Sequence, residues 1–80
     1  MILRMIVYGE LYDVEADPDA PLSVAKGAAL LLARCTARPP FDYEAYGIDG
    51  APLDERRTPA ELGLGEGATL YVWGRIGAGG

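Results

Sequence analysis

The hydrophobic and polar positions of the chain change period along its length. In residues 2–8, "ILRMIVY", Leu3, Met5 and Val7 recur at period two, which is the spacing of a strand with one buried face. The run "LYDVEA" alternates in the same way, with Tyr12, Val14 and Ala16 on one face and Leu11, Asp13 and Glu15 on the other. Gly9-Glu10 lies between the runs and supplies a tight turn, because glycine accepts positive φ. Residues 2–16 therefore predict a β-hairpin. From Leu22 to Cys35, "LSVAKGAALLLARC" shifts to helical spacing, with Leu22, Ala25, Ala29 and Leu32 as the inward stripe. Ala and Leu are strong helix formers. Asp19 is placed to cap this helix and Pro21 suits its first turn. Gly27 weakens it by about 1 kcal/mol relative to Ala and is a candidate for close packing on the sheet. Arg34 complements the dipole at the end, and "RPP" (residues 38–40) stops the helix.

Beyond the prolines, "YEAYGI" (residues 43–48) predicts a third strand. "DGAPLD" then turns into a very short edge strand at Pro52–Leu53, where a proline is tolerated only at an edge. "RRTPAELGLGEG" gives a capped helical turn from Thr58 followed by a glycine-rich turn. "ATLYVWG" is the last strand, with Leu70 and Val72 on one face and Tyr71 and Trp73 on the other. The order β-β-α-β-(β)-turn-β makes one α+β domain, a mixed sheet of four to five strands with one helix across one face. Joining the hairpin through the helix to a third strand implies a parallel, right-handed crossover. That topology is a β-grasp. It occupies residues 1–73 and leaves residues 74–80 as a tail.

Composition narrows the chemistry. Eighty residues make a small, marginally stable domain. A single cysteine, Cys35, and no histidine leave neither a disulfide, nor a Cys/His metal site, nor a Ser-His or Cys-His nucleophile pair. No two carboxylates stand out as an acid/base couple. Cys35 is expected to be a small buried or half-buried hydrophobe. The net charge of −5 repels a phosphate backbone, so no nucleic-acid partner is expected. No run approaches the roughly 20 apolar residues of a membrane span, and "MILRMIVYGE" lacks the basic and small-residue flanks of a signal peptide. The expected setting is cytoplasmic, with no membrane partner.

The ordered set of these features resembles the ubiquitin superfamily over essentially the whole chain. The starting hairpin, "VEADPDAPLSVAKGAA" entering the helix, the Pro pair after it, "GAPLDERRTPAELGLGEGATLYV" and the closing Gly79-Gly80 all fall at similar spacings. Within that superfamily, the pattern L-G-x-G-A-T-L-Y-V followed by "GAGG" looks most like bacterial ubiquitin-like modifiers encoded with a dedicated activating enzyme, conjugating enzyme and JAB-type deconjugating peptidase. The resemblance implies that the carboxylate of Gly80 is adenylated, passed to a cysteine as a thioester and joined to an amine of a target protein. Catalytic groups and the ATP then belong to the partner enzymes, and the chain itself is not an enzyme and binds no cofactor.

Geometry suits the tail to that duty. Extended, residues 74–80 reach roughly 23 Å, and Gly79 and Gly80 have no Cβ to obstruct a narrow channel. The bland alternative is a frayed terminus. Gly77 and Ala78 complete the slim end. Arg75 is the tail's one charge, offered either for recognition or for solvation. Tyr8, Tyr46, Tyr71 and Trp73 form a candidate partner-binding patch on the sheet face away from the helix; the alternative folds Trp73 over the core's edge and turns Tyr46 to the helix. Lys26 is the only lysine and lies beside the inward stripe, so single attachments are expected rather than lysine-linked chains. Two other functions fit the same pattern. One is a sulfur carrier whose Gly-Gly end becomes a thiocarboxylate for cofactor biosynthesis. The other is a binding-only ubiquitin-like domain.

Overall fold

The computed structural model describes residues 1–75. Strands β1 (Ile2–Val7) and β2 (Glu10–Glu15) form the hairpin, α1 (Leu22–Leu32) follows, and a single 3-10 turn (Pro40–Asp42) leads into β3 (Tyr43–Tyr46) and then β4 (Thr69–Gly74). The four strands lie in the order β2-β1-β4-β3. β1 is antiparallel to β2 and parallel to β4, and β3 is antiparallel to β4. The helix crossover thus joins two parallel strands, β2 and β3, at opposite edges of the sheet. The proposed fifth strand is a single bridge, Tyr46 to Pro52, extended by the Leu53 amide donating to the Ala45 carbonyl at 2.9 Å. The result is a ubiquitin-like fold.

The period-two positions fill the core. Leu3, Met5, Leu70 and Val72 are fully buried and meet Leu22 and Leu30 of α1. Each such side chain contributes about 1.5–3 kcal/mol. Register aligns them, with Met5 opposite both Tyr12 and Leu70, and Val72 opposite both Val7 and Ala45.

Several local expectations are corrected. The hairpin turn is Tyr8-Gly9, not Gly9-Glu10, with φ of 48° and 85°. Positive φ at both central residues matches the right-handed twist of the flanking strands. Asp19 does not cap α1; Pro21 is the N-cap residue, with no side-chain cap. The first helical amides go instead to a distant loop, Leu22 N–H to the Arg57 carbonyl at 2.9 Å and Ser23 N–H to that of Glu55 at 3.1 Å. The helix ends at Leu32, before the prolines. Arg34 turns left-handed with φ 59°, while the Arg34 amide donates to Leu31 and the Cys35 amide to Leu30. This is a Schellman closure with arginine where glycine is usual. Leu32 lies outside the stripe and is exposed, as are Val24 and Leu31, whereas Leu30 and Lys26 are buried. Gly27 makes no close approach: a Cβ built there meets nothing within 4 Å.

Two expectations hold. Thr58 and Glu61 form a reciprocal capping box, each backbone amide donating to the other's side chain at 2.9 and 3.1 Å. Cys35 is half-buried against the core.

Candidate functional site

The end of β4 is built from three segments that the chain brings together late. β1 has already turned back when β4 reaches Gly74, so that amide has no strand partner on its β1 side. The Tyr8 hydroxyl takes its place, accepting from the Gly74 N–H at 2.6 Å. A Cβ on Gly74 would sit 2.9 Å from that oxygen, so the contact depends on glycine. Tyr8 is steadied by an edge-to-face contact with Tyr43, ring centroids 6.4 Å apart. This contact and the hydrogen bond offset the cost of a left-handed tyrosine, about 1–3 kcal/mol.

Arg75 is held from four sides. Its amide donates to the Asp42 carbonyl at 2.8 Å and its Nε to the Phe41 carbonyl at 3.1 Å. Its guanidinium lies 4.9 Å from the Phe41 ring centroid and its Nη1 pairs with Glu44 Oε1 at 3.2 Å. The Pro39-Pro40 pair sets up the receiving loop, since fixed φ at both residues limits the backbone that presents Phe41 and Asp42. Arg75 is therefore a residue of the folded domain's surface. Gly77, Ala78, Gly79 and Gly80 lie outside the described residues.

On the sheet face away from the helix, one row crosses all the strands: Leu11, Ile6, Tyr71 and Tyr46 are register partners in turn. Trp73 stacks on Tyr46 with centroids 4.3 Å apart and planes 14° from parallel, and its ring lies 5.8 Å from Tyr71. Tyr46, Tyr71 and Trp73 are thus brought together. Tyr8 stands apart from them, at the hairpin turn beside Tyr43. Tyr46 is buried beneath the stack, while Tyr71 and Trp73 are half-exposed. The Tyr46 hydroxyl donates to Glu44 Oε2 at 3.1 Å. Burial first, and then that carboxylate, push its ionisation above the usual tyrosine value. Burial does the same to Tyr43. Ile6 and Leu11 were legible as members of this face from alternation alone. Glu44 and Phe41 carried no sequence signal, because their roles depend on where Arg75 lands.

Beneath the tail root, Lys26, Phe41, Glu44, Glu55, Arg56 and Arg75 help line a cleft of about 510 Å³. Lys26 is 3% exposed. Its Nζ pairs with Glu55 Oε1 and donates to the Tyr43 carbonyl at 2.8 Å, both of them acceptors. Glu55 Oε2 accepts from the Ala45 amide at 2.8 Å. The only lysine is a strut between α1, β3 and the loop, and as folded its amine is closed to an acyl donor. Among the described residues, no three His, Cys, Asp or Glu side chains gather to hold a metal ion, and no helix is long and apolar enough to cross a membrane.

Comparison with known proteins gives three findings. A family model described as "Protein of Unknown function (DUF2604)" matches residues 1–80. No curated protein matches the chain. Among solved structures, the chain is similar to Caldiarchaeum subterraneum ubiquitin, with TM-score 0.76 and 18% identity over 94% of this chain and 92% of that one. It is also similar to the EccD5 ubiquitin-like domain from Mycobacterium xenopi, with TM-score 0.69 and 20% identity over 89% of each.

Proposed function

The chain belongs to the DUF2604 family, and from its ubiquitin-like fold we propose that it is a protein modifier joined to targets through Gly80. The observation that carries the reading is the whole-chain match to a ubiquitin in a sequence whose last strand runs on into "RIGAGG". On this proposal the Gly80 carboxylate attacks the α-phosphorus of ATP on an activating enzyme and expels pyrophosphate. A cysteine thiolate then displaces AMP to form a thioester. An amine of the target finally displaces the thiol, leaving an amide. A conjugating enzyme and a JAB-type peptidase are the further partners, in a bacterial, cytoplasmic pathway. The chain itself supplies no catalytic group. It supplies the tail, Arg75 at its root, and the Tyr46–Tyr71–Trp73 face as a docking surface.

The test is incubation of the protein with ATP and any activating enzyme of the ubiquitin type encoded beside it. The expected product is a covalent adduct that reducing agent cleaves and that is lost when Gly79 and Gly80 are deleted. Intact mass of material from cells decides against the proposal if it shows a terminal thiocarboxylate without protein adducts, the mark of a sulfur carrier. No adduct of either kind leaves a binding-only domain.

A further inference from the structure

We propose that Glu44 is the keeper of a latch on the tail root, coupling the aromatic face to the release of Arg75. This rests on the reading above, in which the face and Arg75 both meet partners, and it names how the two contacts regulate each other.

Glu44 divides its carboxylate between two regions. One oxygen, Oε2, accepts from the Tyr46 hydroxyl at 3.1 Å. The other, Oε1, holds Arg75 Nη1 at 3.2 Å. In register, Glu44 is opposite Trp73, whose ring covers Tyr46. The stack therefore sets where the Tyr46 hydroxyl lies, and the hydroxyl fixes the Glu44 side chain in the position that meets Arg75. A glutamate freed from that bond pays rotamer entropy to hold the guanidinium, and its grip weakens. A partner that settles on Trp73 and shifts the stack loosens Arg75. By linkage, a partner that takes Arg75 makes the face easier to rearrange by the same factor.

The latch also states what a partner must offer. Arg75 leaves a carboxylate, two backbone carbonyls and the Phe41 ring. Its receiver must replace these with a carboxylate-bearing pocket. Phe41, already 74% exposed, then presents the ring face that Arg75 covered.

The isolated full chain is sufficient for the test. Backbone amide exchange of Arg75, whose N–H is donated to Asp42, is followed by NMR in wild type, Glu44→Ala, Tyr46→Phe and the double variant. Glu44→Ala is expected to speed this exchange about 2–5-fold, the range of a part-exposed ion pair. Tyr46→Phe is expected to speed it by a smaller factor, and to add nothing in the Glu44→Ala background. If Glu44→Ala loses native chemical-shift dispersion, Glu44→Gln replaces it. Glu15→Gln, equal in charge change and remote, is expected to leave Arg75 unaffected. Exchange at Arg75 that ignores both substitutions, or that responds to Tyr46→Phe equally with and without Glu44, overturns the latch. Thioester formation by these variants is a separate readout. Its absence from wild type overturns the modifier reading while the exchange data still decide the latch.

Discussion

Lys26–Glu55 and Arg75–Glu44 line the same cleft and have the same chemistry in outline, a cation against a carboxylate that also accepts a second hydrogen bond. Their surroundings differ. The side chains of the first pair are 4% and 12% exposed; those of the second are 33% and 21%. The first has lost most of its water and is satisfied mainly by protein, which Tyr43 and Ala45 accomplish. The second keeps water as an alternative partner, so breaking it costs little. One cleft thus joins a strut that fixes the helix on the sheet to a latch that can open at the tail. The proposed role as a modifier would call for both: a domain that does not unfold when its terminus is pulled into an enzyme, and a terminus that can be pulled.

The largest effect tests the strut. Lys26→Ala is expected to cost about 3–5 kcal/mol, because Glu55, its side chain only 12% exposed, is left without its cation. For a small domain this approaches total stability, so urea unfolding should show a large fall in midpoint or no folded baseline. Adding Glu55→Gln to Lys26→Met should recover much of the loss, since the neutral amide oxygen still accepts from the Ala45 N–H and no charge is stranded. Recovery near zero would mean that the pair's geometry, not its desolvation, carries the strut. The same burial predicts that a water-soluble N-hydroxysuccinimide ester labels Lys26 only once urea unfolds the chain.

How far the sequence foretold this contrast depends on the range of each interaction. Alternation in "ILRMIVY" and "ATLYVWG" placed Leu3, Met5, Leu70 and Val72 correctly, because period two is a local property of a strand. The cap at Thr58 was legible for the same reason, and Glu61, three residues on, completes it as a capping box. Lys26 was placed beside the apolar stripe, but its burial is set by Glu55 and Tyr43, 29 and 17 positions away in the chain numbering. Asp19 looked like a cap, yet the loop at residues 55–57 reached the helix first amides with its own carbonyls. Arg75 looked like part of a free arm for want of any local sign that Phe41, Asp42 and Glu44 would receive it. The domain's frame was written locally, while the strut and the latch arise where the frame brings distant segments together.

A smaller effect separates the strut from the helix that carries it. Gly27 adjoins Lys26 in the chain, but a Cβ there would meet open space. Gly27→Ala should therefore raise stability by about 1 kcal/mol through helix propensity alone, visible as a higher urea midpoint. It should leave the Lys26 labelling pattern unchanged. A destabilised Gly27→Ala would show that the helix surface needs that glycine, and the contrast would then belong to the helix rather than to the pairs.

On the latch, Glu44→Gln should lower global stability by only about 0.2–1 kcal/mol. The Arg75–Glu44 pair, unlike Lys26–Glu55, should also weaken as salt shortens the screening length to about 10 Å at 0.1 M. Thermal unfolding of wild type and variant at low and high salt measures both. A Glu44→Gln loss matching that of Lys26→Ala would erase the distinction between strut and latch.

The smallest expected effect extends the comparison to a third pair on the same cleft. Asp54 meets Arg56 at 3.1 Å, with the arginine side chain 92% exposed. Hydrogen bonds from the Arg56 side chain and backbone hold the Asp54 carboxyl below its usual value. A lowered carboxyl contributes stability above its unfolded value, about 3.9, and loses it as pH falls through the folded value. Arg56→Ala should thus move the Asp54 titration, followed by carboxyl NMR, up toward the unfolded value. At pH 7 it should leave the urea midpoint nearly unchanged, because water screens so exposed a pair. If burial grades the three pairs, the order of cost is Lys26, then Arg75, then Arg56. A fall in midpoint for Arg56→Ala equal to that of Glu44→Gln would break the grading, and would mean that the loop carrying Asp54 and Glu55 holds the helix as one unit rather than through Glu55 alone.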